Sequence, residues 1–371
     1  MENIKINYNK LKENFEQTKS KQFLKNSINF LGICDASTFE LCDKSWNEIT
    51  LKSSINIPDS YDPIDQIDSI NSSVEITESK VIATPSIPRQ EPYIKNFENK
   101  LTTGRKLIVS GCVHLSINYV SIYKDKNVQG FAVKIPFSNF IVLPKNLLLD
   151  DETIDPMNVE FLPSACVEDI NIGELEAKNL KFTINVILTA CHSKCIKSTN
   201  INRFKKCKSK SIPEIYGLCS KTILNNLLVY DLNSMKYWNQ ISLSKICTLP
   251  MDKPDIIQIL SVNSKIKVIN QKVIDTPKSD IPNLNNLSLT GKKLIINGLL
   301  IQNINYISKT DSQEVISSDI IIPLSSYIML PKDYPCYNKF NLCLCLEDIN
   351  LCALNNRQIF SSATIFLKAK L

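Results

Sequence analysis

The chain has 371 residues, 43% apolar and 22% charged, with a net charge of +6; it is long enough for two domains and excludes a disordered polymer. Only 8 residues are glycine, and neither a G-x-x-x-x-G-K-[ST] loop nor a G-x-G-x-x-G turn occurs, which removes the usual phosphate-binding loops. No apolar run approaches the roughly 18 residues of a membrane span, and the opening MENIKINYNKLKENF lacks an apolar signal core, so cytoplasmic synthesis without a signal peptide is expected.

Residues 1–40 carry Ile4, Leu11, Phe15 and Phe23 at loose helical spacing, which predicts a short N-terminal helix ahead of a first domain at 41–190. From Trp46 the chain begins to repeat. WNEITLKSSINIP returns as WNQISLSKICTLP from Trp238, an offset of 192 that also aligns Gln66 with Gln258 and Pro85 with Pro277. GRKLIVSGCVHLSINYVS at Gly104 returns as GKKLIINGLLIQNINYIS at Gly291, offset by 187, and Glu168-Asp169 returns as Glu347-Asp348, offset by 179. The shrinking offset places deletions in loops, where they are tolerated. The reading is two tandem copies, 41–190 and 238–371, joined by a linker at 191–237.

Within a copy the elements are strands. Leu107, Val109, Val113, Leu115, Ile117 and Tyr119 alternate with Lys106, Ser110, His114, Ser116 and Asn118, the period of a half-buried strand. Gly111 and Gly298 interrupt this run at matching positions, which suggests a bulge or a close backbone approach. In the second copy the polar Gln302 takes a core-facing position. Pro63–Ile70 and Pro254–Val262 are expected to start with a helical turn, with proline at its first position. Strands follow at Val74–Ile82, at Phe131–Phe137 with Pro136 marking an edge or an exit, and at 159–170 and 180–188. Many short strands without crossover helices predict an all-β, mainly antiparallel chain: two tandem β-sandwich or Greek-key-like domains.

The runs at Pro63–Ile67, 106–121 and 135–144, with PDIIQIL, KLIINGLLIQNINYIS and IPLSSYIMLP in the second copy, resemble the SPOCS domain of sporulation and spore-coat proteins. The resemblance implies a non-catalytic protein at the forespore or spore surface, bound to spore-coat or coat-morphogenesis proteins, and it supplies no catalytic residues. Members of this type carry a LysM module; none is read before Leu371, so direct wall binding is not expected.

The linker holds eight Lys or Arg between Cys191 and Lys221 against one Glu, including Lys205, Lys206 and Lys208: a solvated linker or a patch for an acidic partner. Its aromatics are too irregular for base stacking, so nucleic acid is not expected. Cys191, His192, Cys195 and Cys207 have ligand chemistry suited to zinc, but no second tight pair follows and no metal is assigned. The 13 cysteines are read as mainly idle thiols. Glu168-Asp169 and Glu347-Asp348 recur, yet neighbouring strand residues point to opposite faces, so a fold or interface role is expected rather than a catalytic pair. Trp46 and Trp238 are core anchors or interface hot spots. Phe140 and Tyr327, with Tyr119 and Tyr306, would serve the alternative reading, a polysaccharide or peptidoglycan binder. No enzyme, cofactor or small-molecule substrate is expected; self-association through exposed strand edges is possible.

Overall fold

The computed structural model describes residues 28–35, 37, 39–41, 45–86, 94–123, 127–149, 152–176, 178–192, 213–227, 236–279, 281, 283, 287–332, 334 and 340–370. The expected N-terminal helix and the linker lysines Lys205, Lys206 and Lys208 lie outside these residues. The first half contains β1 (Asn29–Leu31), β2 (Trp46–Asn56), β3 (Ile64–Ala83), β4 (Ile94–Lys95), β5 (Leu101–Thr102), β6 (Arg105–Ser121), β7 (Val128–Val142), β8 (Leu147–Leu149), β9 (Glu152–Ile154), β10 (Phe161–Glu176) and β11 (Asn179–His192). The second contains β12 (Glu214–Tyr216), helix α1 (Lys221–Asn226), β13 (Trp238–Thr248), β14 (Ile256–Lys278), β15 (Thr290–Ser308), β16 (Val315–Leu330), β17 (Asn341–Ala353) and β18 (Gln358–Lys370).

The chain is all-β, as its alternation predicts. In the first unit a sheet of order β1-β3-β6-β7 faces one of order β10-β11-β2; in the second, β12-β14-β15-β16 faces β13-β18-β17. These sheets are antiparallel apart from the short parallel edges β1–β3 and β12–β14. Each sandwich encloses its own apolar core, one around Val109, Ile117 and Val186, the other around Ile296, Ile304 and Ile365. Both units begin earlier than the repeat in sequence suggested. β1 falls inside 1–40, and β12 and α1 fall inside the segment read as a linker.

The expected helical turns at Pro63 and Pro254 are absent. β3 and β14 run as long strands from Ile64 and Ile256, with register shifts at Ile64/Gln66 and Ile67/Ser69, and at Ile256/Gln258 and Ile259/Ser261. Each shift adds one residue to one strand. Ile64, Ile67 and Ile70 therefore all reach the core at a spacing of three, which imitates a helical period. A third recurrent shift, Ile76/Glu78 and Val268/Asn270, lies beside Gly111 and Gly298. The extra residue sits on the neighbouring strand, and the glycine allows the two backbones to close up. A Cβ on Gly111 would stand 2.3 Å from the Glu75 carbonyl oxygen, and one on Gly298 2.6 Å from that of Lys267.

Pro136 lies within β7 and Pro323 within β16, both sheet edges, where a missing N–H breaks no ladder. Gln302 keeps its place in the second core with no change of phase. It is fully buried, donates to Ser264 Oγ at 3.2 Å and accepts from Ser361 Oγ at 2.5 Å, so its amide is paired rather than stranded.

Candidate assembly interface

The two sandwiches stack. The outer face of β13-β18-β17 lies on the outer face of β3-β6-β7, giving four layers of sheet. β18 is therefore covered on both sides and is buried at every residue from Ile359 to Ala369.

The seam is polar, and the recurrent acidic pair organises it. β17 shifts register between Leu346 and Asp348, so the bulge turns neighbouring carboxylates to one face. This corrects the expectation of opposite faces, which assumed an unbroken pleat. Glu347 Oε2 accepts from Lys106 Nζ at 2.7 Å, with side-chain exposures of 0% and 1%, and Gln240 Nε2 donates to Glu347 Oε1 at 2.9 Å. Asp348 pairs with Lys80 at 2.8 Å. Lys106 Nζ also stands 3.9 Å from the centroid of Phe140, a cation–π contact in a dry setting. Burial pushes the Lys106 ammonium down and the Glu347 carboxyl up, against their mutual attraction. Asn350 donates to Ser110 Oγ at 2.9 Å, and Ser242 to the Ser138 carbonyl at 3.0 Å.

A hairpin from the first unit clamps the same junction. In β4–β5 and its turn, Asn96 Oδ1 accepts from the Lys100 N–H, while Asn96 Nδ2 donates to the Trp238 carbonyl at 3.0 Å. Phe97 packs at a tilt against Tyr237 with centroids 5.3 Å apart, and Glu98 accepts from Tyr327 Oη at 2.7 Å. Burial, then the Glu98 carboxylate, raises the Tyr327 phenol well above its usual range.

The two tryptophans part company. Trp238 is 1% exposed, stacked on Phe366 with centroids 5.4 Å apart and covered by Leu224 of α1 and Leu227, the C-cap of that helix. Lys368 Nζ, fully buried, holds that helix through the Leu227 carbonyl at 2.6 Å. Trp46 is 44% exposed; 12 positions separate Cys34 from Trp46, whereas 19 separate Cys219 from Trp238, the stretch that carries α1.

The expectation of idle thiols fits Cys112, Cys247 and Cys343, which are free, but fails at the cysteines that close each sandwich. Cys34 is bonded to Cys166 and Cys219 to Cys345, at equivalent places, each backed by an N–H bond from the first cysteine to the carbonyl of Val167 or Leu346. The missed signal was Gly32-Ile33-Cys34 against Gly217-Leu218-Cys219. Both glycines have positive φ, and a Cβ there would strike the Ser72 or Ser264 carbonyl oxygen at 1.9 or 2.0 Å. Cys191 is also disulfide-bonded, which removes its thiolate from the zinc alternative; His192 ends β11, and Cys195 and Cys207 lie outside the described residues.

The aromatics of the glycan reading do not form an open platform. Tyr119 and Tyr306 are fully buried, donating to the carbonyls of Asp62 at 2.9 Å and Pro254 at 3.0 Å. Phe140 lies under Lys106, and Tyr327 is engaged by Glu98.

The family described as SipL, SPOCS domain, matches residues 63–172. That stretch runs from ahead of β3 into β10, and so contains the lysine-bearing sheet and the acidic bulge of the first unit. No curated protein matches the chain. A crystal structure of lipopolysaccharide binding protein aligns over 86% of this chain and 91% of its own, at 9% identity and a TM-score of 0.12, too faint a likeness to carry an argument.

Proposed function

We propose that the chain is a non-catalytic assembly protein of the spore coat or sporulation machinery, made in the cytoplasm and recruited to the forespore surface by coat or coat-morphogenesis proteins. The SPOCS match over residues 63–172 carries this reading, and the same strand order in the second half extends it to a tandem pair of such domains. The recurrent acids support a structural rather than a reactive role. In the second unit they are locked into a seam of lysines, and in the first they lie on an open sheet face, whereas acid–base hydrolysis needs two carboxyls across a cleft. The paired disulfides favour a final setting that is oxidising.

The test is localisation of a fluorescently tagged chain in sporulating cells. A ring at the forespore surface is expected, and a signal spread evenly through the cytoplasm at every stage overturns the reading.

A further inference from the structure

The intramolecular seam joins two kinds of face: an acidic three-stranded face, β13-β18-β17, and a lysine-bearing four-stranded face, β3-β6-β7. Each unit has both kinds, so one of each remains outward in the chain. They are β10-β11-β2 of the first unit and β14-β15-β16 of the second. We infer that these outer faces bind one another between chains, head to tail, by the geometry that already joins the two units within a chain.

The residues that make the seam recur on the outer faces. Lys106 over Phe140 becomes Lys293 over Tyr327, with Nζ 4.3 Å from the ring centroid. Lys80 becomes Lys272, exposed on β14. On the acidic side, β10 shifts register between Val167 and Asp169 just as β17 does, which presents Glu168 and Asp169 from a bulge equivalent to that of Glu347 and Asp348. Both are exposed. One contact of the hairpin recurs too: the Leu287 N–H donates to Asn283 Oδ1 at 2.9 Å, as that of Lys100 does to Asn96. Head-to-tail stacking sets Lys293 on Glu168, Lys272 on Asp169, and the Asn283 amide on the Trp46 carbonyl of the next chain.

The departures from the template sharpen the fit. Gln240 becomes Glu48, which adds a charge beside Glu168; burial and then Glu48 raise the Glu168 carboxyl. Glu78 becomes Asn270, which removes an acid from the lysine face. The outer faces are thus more complementary in charge than the seam they copy. Lys52 and Lys181 of the acidic sheet lie toward its far end, paired in register with Thr183 and Ser54, away from the acids.

An interface of unlike faces does not close on itself as a twofold dimer does, and it propagates into a filament or a ring. The pairing deepens the assembly reading by naming a second copy of this chain as partner. It is tested on the purified full chain without a spore, so its failure leaves the localisation result untouched, and the reverse.

Sedimentation velocity at rising concentration and low salt is expected to show species that grow beyond a dimer. Glu168→Lys or Lys293→Glu alone should weaken association at least tenfold. The double variant, and an equimolar mixture of the two single variants, should restore it, because charge reversal on both faces re-forms the pair. A chain that stays monomeric at every concentration overturns the inference. So does association that neither single reversal weakens, the result that strand-edge pairing would give, and so does a double variant that stays as weak as the single ones.

Discussion

Lys106 and Glu347 are both charged, both almost inaccessible, and 2.7 Å apart. Taking either ion out of water costs more than a surface pair returns, so the arrangement holds only while each has the other. Gln240 and the face of Phe140 complete the shell. Glu347→Gln leaves the ammonium buried with no counter-charge and should cost about 3–5 kcal/mol in urea unfolding at neutral pH. Lys106→Met with Glu347→Leu removes both charges and should be near neutral. The single variant should also respond to pH. A lysine whose pKa in the fold lies below its ordinary 10.5 sheds its proton in the folded state first, so stability rises with pH between the folded and unfolded values. The deficit of Glu347→Gln should shrink as the pH climbs toward 10.5; a deficit independent of pH would mean that the ammonium is not what is penalised.

At the level of the strand, bulges decide which residues face inward, and they also decide what could be read ahead of the structure. Alternation along β6 was legible because that strand takes no extra residue, and Leu107 to Tyr119 reach the core in step. β3 was misread because two bulges respace Ile64, Ile67 and Ile70 to a helical interval. The acidic pair was assigned to opposite faces for the same reason: a bulge residue carries no local signature apart from the partner strand that defines it. Gly111 announced the place but not the strand. Its missing side chain can be tested. Gly111→Ala sets a methyl against fixed backbone at 2.3 Å and against Phe137 at 2.8 Å, and should destabilise by about 1–3 kcal/mol, the scale of overpacking. The change should appear as a lower urea midpoint at unchanged slope. Gly130→Ala meets the end of the Asn118 side chain first, which can swing away, and should cost less. Equal losses at the two glycines would refute the close-approach account.

Across the whole molecule, the recurrence of segments was plain in the offsets of 192, 187 and 179, while the seam was hidden. Repeats reveal which positions are alike, and the seam joins positions that are unlike: a bulge in one unit to a lysine sheet in the other. Trp46 and Trp238 show the limit, since one repeat position is open in the first unit and closed in the second under Leu224 and Leu227. The seam makes a thermodynamic claim as well. Each unit has its own core, but Lys106, Lys80, Glu347 and Asp348 meet only when the units are stacked, and the tether keeps them at high effective concentration. Heat should therefore unfold the native chain in one calorimetric transition, with van't Hoff and calorimetric enthalpies in agreement. Glu347→Lys sets a second ammonium against that of Lys106 at a buried point, which repels the faces while leaving both apolar cores intact. That variant should unfold in two transitions, one per sandwich. Two transitions in the native chain, or one in the variant, would show that the units are coupled by something other than this charge cluster.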